Sequence, residues 1–155
     1  MTHNNHKVAL TKEGYDELAS ELDEIKRNKL PKAIERVAVA RSHGDLSENS
    51  EYHAAREDLA FLEGRVEELE ALVAKAQIIR PRSKKTVNLG NKVTVNGNGK
   101  SLIFEVVGEF EADPMSKKIS HDSPLGRALI GKKVGEKVEY EAPVGKVVYK
   151  IEKIH

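Results

Sequence analysis

The stretch Tyr52-His53-Ala54-Ala55-Arg56-Glu57-Asp58-Leu59-Ala60-Phe61-Leu62-Glu63-Gly64-Arg65-Val66-Glu67-Glu68-Leu69-Glu70-Ala71-Leu72-Val73-Ala74-Lys75-Ala76 decides the architecture. Tyr52, Ala55, Leu59, Leu62, Val66, Leu69, Val73 and Ala76 follow an unbroken alternation of three- and four-residue steps. On a helix that alternation lines one face and fills the a and d positions of a heptad. The spacing predicts a straight, coiled-coil-like helix over 48–76, roughly 40 Å long at about 1.5 Å per residue. Glu63, Glu67, Glu68 and Glu70 fall off the stripe and read as its solvated side.

A partner for that stripe lies upstream. Tyr15, Leu18, Leu22 and Ile25 show the same spacing, and after a slip Leu30, Ile34 and Val37 resume it. Pro31 sits at the slip, where a missing donor and a steric clash predict a kink or short break. Between the stripes lies Arg41-Ser42-His43-Gly44-Asp45-Leu46-Ser47-Glu48-Asn49. Gly44 suits a helix end, and the Asp and Ser after it suit a helix start. So short a connection makes the two helices antiparallel neighbours.

Past Arg80-Pro81-Arg82-Ser83-Lys84-Lys85, which reads as a linker, the period changes. Residues 92–95, 102–107, 137–141 and 146–154 are short, β-branched and partly alternating, as strands are. Asn96-Gly97-Asn98-Gly99 is a hairpin turn signal, and Pro143-Val144-Gly145 a second turn. Ser123-Pro124 opens one short helix that Gly131 closes, with Ser at the N-cap and Pro in the first helical position. The expected organisation is therefore α+β. An N-terminal antiparallel helical hairpin occupies 1–80, and a small antiparallel sheet with one covering helix occupies 81–155.

Composition bounds what such a chain does. Of its 155 residues 33% are charged and only 5% aromatic, with no Trp. Those proportions fit much solvated surface and argue against one large core. The absence of Cys excludes disulfides and thiolate metal sites and agrees with cytoplasmic residence. Met1 to Lys7 carry no apolar signal core, and no run of 18 apolar residues would span a membrane. Residues 1–80 hold 12 Lys+Arg against 16 Asp+Glu, and residues 81–155 hold 14 against 9. A near-neutral total with a mildly basic second half argues against a dedicated DNA-binding domain, while leaving room for contact with a protein–nucleic acid assembly.

No nucleophile–base–acid set, G-x-S-x-G elbow or phosphate-binding loop is present. The His residues lack metal-ligand spacing, so zinc is not expected. What remains is the hairpin tip, where Asp45 and Glu48 lie three residues apart. Two readings stand. The pair is a capping box, Asp45 as N-cap and Glu48 at N3, favoured also by the helix dipole. Alternatively the pair is half of a Mg²⁺ clamp whose other ligands come from another protein, since two carboxylates alone bind Mg²⁺ weakly. Arg41, His43 and Arg56 near the tip are either solvated surface or contacts to a phosphate backbone. Tyr52 belongs to the stripe and reads as packing rather than as a base-stacking platform.

Two long motifs carry a resemblance. Ala40-Arg-Ser-His-Gly-Asp-Leu-Ser-Glu-Asn-Ser-Glu-Tyr-His-Ala-Ala-Arg-Glu57 and Asp122-Ser-Pro-Leu-Gly-Arg-Ala-Leu-Ile-Gly131 closely resemble the bacterial Gre transcript cleavage factors. The His-Ala-Ala-Arg-Glu continuation looks like the GreA branch of that family. Ser47 and Ser50 depart from the pattern, where many members carry Lys or Arg and Ala. The resemblance runs from about residue 8 to the C-terminus and implies a transcription elongation factor rather than a free-standing enzyme. Its hairpin enters the secondary channel of RNA polymerase. Asp45 and Glu48 assist in trans by sharing a Mg²⁺ with the polymerase active site, with no cofactor bound by the isolated protein. Arg41 and Arg56 face the 3′ end of the nascent RNA, and His43, Asn49 and Tyr52 support the tip. An FKBP-like second domain docks at the channel entrance through Asp122, Ser123 and Pro124, and the factor works as a monomer. The rival readings are a channel binder that inhibits the polymerase and an FKBP-like isomerase or chaperone.

Overall fold

A computed structural model describes residues 6–44, 48–81 and 83–155. Its contacts divide the chain into two compact units. One comprises residues 16–75, and the other joins residues 1–15 to residues 76–155.

The first unit is the hairpin. Helix α1 (Lys12–Glu24) continues through a π-helical turn (Ile25–Lys29) into α2 (Leu30–Ser42), and α3 (Ser50–Lys75) returns against it. Every residue of the α3 stripe from Tyr52 to Val73 is buried or half-buried, and Leu72 joins them from the flank. The sequence expectation at the slip needs two corrections. First, Pro31 causes no break. The π turn makes the Leu30 N–H reach back five residues to the Ile25 carbonyl, and Pro31 follows in the first turn of α2. Widening the turn absorbs one extra residue without opening the helix. Second, the seam residue after the slip is Ala33, not Ile34. Ala33 is buried with Val37 and Ala40, whereas Ile34 is 52% exposed. With five residues from Ile25 to Leu30, the regular steps then fall on 33, 37 and 40.

In the second unit β1 (Val8–Leu10) pairs in parallel with β2 (Ala76–Ile78), a pairing absent from the sequence reading. Strands β3 (Lys92–Gly97), β4 (Lys100–Val107), β5 (Lys118–Ser120), β6 (Lys137–Ala142) and β7 (Gly145–Ile154) form a sheet in the order β5-β4-β3-β7-β6. The four expected strands are β3, β4, β6 and β7, each antiparallel to the others it pairs with, and β5 adds a parallel edge along β4. The β3–β4 turn places Asn98 at φ 53° and Gly99 at φ 77°, the double positive φ that an Asn-Gly pair tolerates. Helix α4 (Pro124–Leu129) covers the sheet. Val93 and Val95 of β3, Phe104 and Val106 of β4, Val138 of β6 and Ile151 of β7 alternate inward to meet Leu125 and Leu129 of α4. The buried Asn91 accepts the Asn88 N–H and donates to the His155 carbonyl, tying the loop before β3 to the chain end.

Candidate functional site

At the tip, α2 ends on Ser42 and His43, whose N–H bonds to the Ala40 carbonyl at 3.2 Å. Gly44 follows at φ +112°, a conformation that β-carbon-bearing residues avoid and that lets the chain leave the helix. Asp45, Leu46 and Ser47 lie outside the described residues, and so does the expected pairing of Asp45 with Glu48.

The helix start is described, and it overturns the capping-box reading. The N-cap of α3 is Asn49. Its Oδ1 accepts the Tyr52 N–H at 3.1 Å, and its backbone carbonyl accepts the His53 N–H at 3.2 Å. Its Nδ2 also donates to the Ala40 carbonyl at 2.9 Å, so one amide caps the start of α3 and satisfies the end of α2. Glu48 precedes the cap and cannot be the N3 residue of this helix. It is exposed and makes no hydrogen bond or ion pair with any described residue. Through these three bonds Asn49 joins the end of α2 to the start of α3.

Behind the cap, Tyr52 is buried with Val37, Ala40 and Ala55, as the stripe predicts. The Arg41 guanidinium lies 5.9 Å from its ring centroid, a cation–π contact across the two helices, and His53 meets the ring edge-on at 5.6 Å. Arg41, His43 and Arg56 are exposed. Three ion pairs cross the hairpin further back: Arg36 with Asp58, Arg65 with Glu21, and Lys26 with Glu70. The Arg65 guanidinium holds the Glu21 carboxyl below its usual range against the opposing effect of burial.

The second motif forms the β5–α4 corner. Ser123 Oγ accepts the Gly126 N–H at 3.1 Å and donates to the Ser120 carbonyl at 2.6 Å, with Pro124 in the first turn. A Cβ on Gly126 would overlap the Ser120 carbonyl, so only glycine lets α4 approach β5 this closely. Asp122 is largely accessible, and its carboxylate lies 3.6 Å from His121 Nε2. The local role of Ser123 and Pro124 is thus a helix start. A cavity of about 470 Å³ beside α4 is lined by Ile79, Asn88, Leu89, His121, Arg127 and Ile130, none of them Phe, Tyr or Trp. Phe104, Tyr140 and Tyr149 pack on the sheet core instead.

Among the described residues no cluster of three or more His, Cys, Asp or Glu is arranged to hold a metal ion. Among them, too, no helix is long and apolar enough to cross a membrane. Glu48 still offers an unengaged oxygen donor, the ligand type that hard cations such as Mg²⁺ take.

Comparison with known proteins gives two matches along the chain. Residues 8–78 match the family described as transcription elongation factor, N-terminal, and residues 82–155 match transcription elongation factor, GreA/GreB, C-terminal. The transcription elongation factor GreA of Lactococcus lactis subsp. cremoris is 46% identical over 149 residues, covering 94% of this chain and 96% of that one. GreA of Rhodopseudomonas palustris is 47% identical over 152 residues, covering 96% of each. A solved structure, GreA factor homolog 1 of Thermus thermophilus, is 31% identical and covers 97% of this chain and 99% of that one. Its TM-score is 0.46.

Proposed function

This chain belongs to the GreA/GreB family of transcription elongation factors, and we propose that it acts on RNA polymerase as an accessory cleavage factor. Its hairpin reaches through the secondary channel to the active site. There it stimulates the polymerase to cut the displaced 3′ end of a backtracked RNA, so that elongation resumes from the new end. The observation that carries this reading is the state of Glu48. The helix cap is supplied by Asn49, so the carboxylate is left exposed and unpartnered among the described residues. A helix start that has no structural use for an acid yet presents one is suited to serve another molecule's site.

Asp45 and Glu48 would hold a Mg²⁺ shared with the polymerase, and that ion supplies activation of water for phosphodiester hydrolysis. Asn49, by joining both helices, fixes where the Glu48 backbone leaves α3. Arg41, held against Tyr52, presents fixed positive charge near the tip, and Arg56 adds a second cation for an RNA phosphate. The sheet unit docks at the channel entrance through the Asp122–Pro124 corner. The factor is a cytoplasmic monomer. Against an isomerase role, the cavity beside α4 has no aromatic lining of the kind such chemistry requires.

The test is addition of the purified protein to a stalled, backtracked elongation complex carrying labelled RNA and Mg²⁺. Release of short 3′ fragments is expected. Asp45→Asn with Glu48→Gln should lower the cleavage rate by on the order of 100-fold or more and leave polymerase binding unchanged. Wild-type protein that releases nothing, or a double variant that cuts as fast, would sink the proposal. Slowed elongation without cleavage would mark an inhibitor.

A further inference from the structure

One flank of the hairpin carries a feature that the tip chemistry does not use. Between α2 and α3 lies a hollow of about 390 Å³. Its floor is two buried alanines, Ala33 and Ala55. Ala33 lies there because the π turn moves the register by one residue, which sends Ile34 outward and leaves a small side chain in the seam. Phe61 and Leu62 of α3 form a wall, and Phe61 stands 74% exposed. The Phe61 ring also borders a second hollow, around Ala60 and Gly64. Gly64 is in the interior of α3, where glycine is less favourable than alanine, and a Cβ there would meet nothing in the described chain. Packing within the hairpin therefore does not call for glycine at this position. The clearance it leaves lies beside Phe61 and opens to solvent.

The rim of the first hollow is cationic. Arg36 is matched by Asp58. Lys29 and Lys32 are exposed and form no ion pair with any described residue, Lys29 adding only a longer-range pull on the Glu21 carboxylate. An exposed ring over a small apolar floor, beside two uncommitted ammonium groups, is complementary to a protein segment in which carboxylates flank an apolar side chain. Aromatic side chains seated against such hollows carry much of the energy of protein interfaces. RNA fits this flank less well. Nucleic-acid binding draws on several phosphate contacts. Here two cations are uncommitted, and the Asp58 carboxylate between them and Phe61 on the lining opposes a phosphate.

We propose that this flank of the hairpin is a docking groove for an acidic protein segment with one apolar anchor, and that the segment belongs to the polymerase. This rests on the cleavage-factor reading above, which puts the hairpin inside the polymerase channel.

The test uses the full-length protein and core RNA polymerase. With a photo-cross-linking amino acid at position 61, the protein should cross-link to a polymerase segment that carries Asp or Glu within a few residues of the attachment point. Phe61→Ala should weaken polymerase binding on the order of 10-fold or more. Phe61→Leu, which keeps an apolar anchor, should recover part of that loss. Lys29→Glu together with Lys32→Glu should weaken binding about tenfold and flatten its dependence on salt. All three positions are exposed, so helix content measured by circular dichroism should match the wild type in each variant. A cross-link to RNA, to a second copy of this chain or to a polymerase segment without acids would overturn the proposal. So would binding without any cross-link, or Phe61→Ala protein that binds as tightly as the wild type. If wild-type protein binds and cross-links but releases no RNA fragments, the cleavage reading fails and the groove stands. If it does not bind the polymerase at all, both fall.

Discussion

Along the hairpin a buried residue has apolar neighbours on one side only, whereas in the sheet unit Val95, Val106 and Ile151 are enclosed by strands and by α4. The hairpin's buried residues include three alanines, Ala33, Ala40 and Ala55, all from its tip-ward half. Large apolar side chains such as Phe61, at 74% exposure, are left in water. Small seam residues let the two helices approach closely and keep the arm slim, at the expense of buried area. Hydrophobic stabilisation scales with that area. The contrast places global stability in the sheet unit and leaves the hairpin to rely on one seam, an end cap and ion pairs across its flanks.

The largest expected effect tests that division directly. Ile151 is fully buried at the centre of the sheet core. Ile151→Ala should cost about 2–5 kcal/mol through lost burial and the cavity left behind. Measured by amide hydrogen exchange, protection of β3, β4 and β7 should fall by on the order of 100-fold or more, with α2 and α3 little changed. An equal loss in both would mean that the chain unfolds as one cooperative block, and the comparison would break.

The same contrast explains what is legible in the sequence. The α3 stripe can be read because its spacing is unbroken and most residues on it are large enough to register as apolar. The strands and α4 are legible from alternation, from Asn98-Gly99 and from Ser123-Pro124. The seam beyond Ile25 misleads because Ala33 is weakly apolar beside Ile34, and because a π turn leaves no composition signal. The β1–β2 pair and the hydrogen bonds from Thr11 to Glu111 escape for a different reason. They join residues 68 and 100 positions apart, as in Val8 with Ala76 and Thr11 with Glu111, and local periodicity carries no such information. At the tip it is the motif, not spacing, that singles out the acids. Spacing points to Asp45 as the cap, although Asn is itself among the strongest N-cap residues and Asn49 stands four places on.

Asn49 is where the hairpin concentrates its polar support, so it gives the next effect. Asn49→Ala removes the α3 cap and the bond to the Ala40 carbonyl together and should cost about 1–2 kcal/mol. Asn49→Asp keeps the acceptor for the Tyr52 N–H but has no donor for Ala40, and should recover about half of that in a denaturant titration. Full recovery by Asp would show that only the α3 cap matters. No recovery would place the cost in the link between the helices.

The smallest effect concerns the flanks. The Arg65 guanidinium meets both oxygens of Glu21, at 2.8 and 2.9 Å, and Glu68 at 3.0 Å. Arg65 stays charged at every accessible pH, its own pKa being raised by the same bonds. Of the Arg65–Glu21 pair it is Glu21 that titrates, and its folded-state pKa lies below its unfolded value near 4.5. The stabilisation is therefore complete above the unfolded value and disappears as pH falls through the folded one. Both side chains are 30–40% exposed, so screening holds the contribution to about 1 kcal/mol or less. Glu21→Gln should lower hairpin stability by that amount at about pH 7, and the difference from wild type should shrink towards zero below about pH 3 and in high salt. A difference that persists in acid would assign the effect to packing of the side-chain stem. No difference at neutral pH would mean that the flank pairs add nothing, and that the hairpin is held by its seam and the Asn49 cap alone.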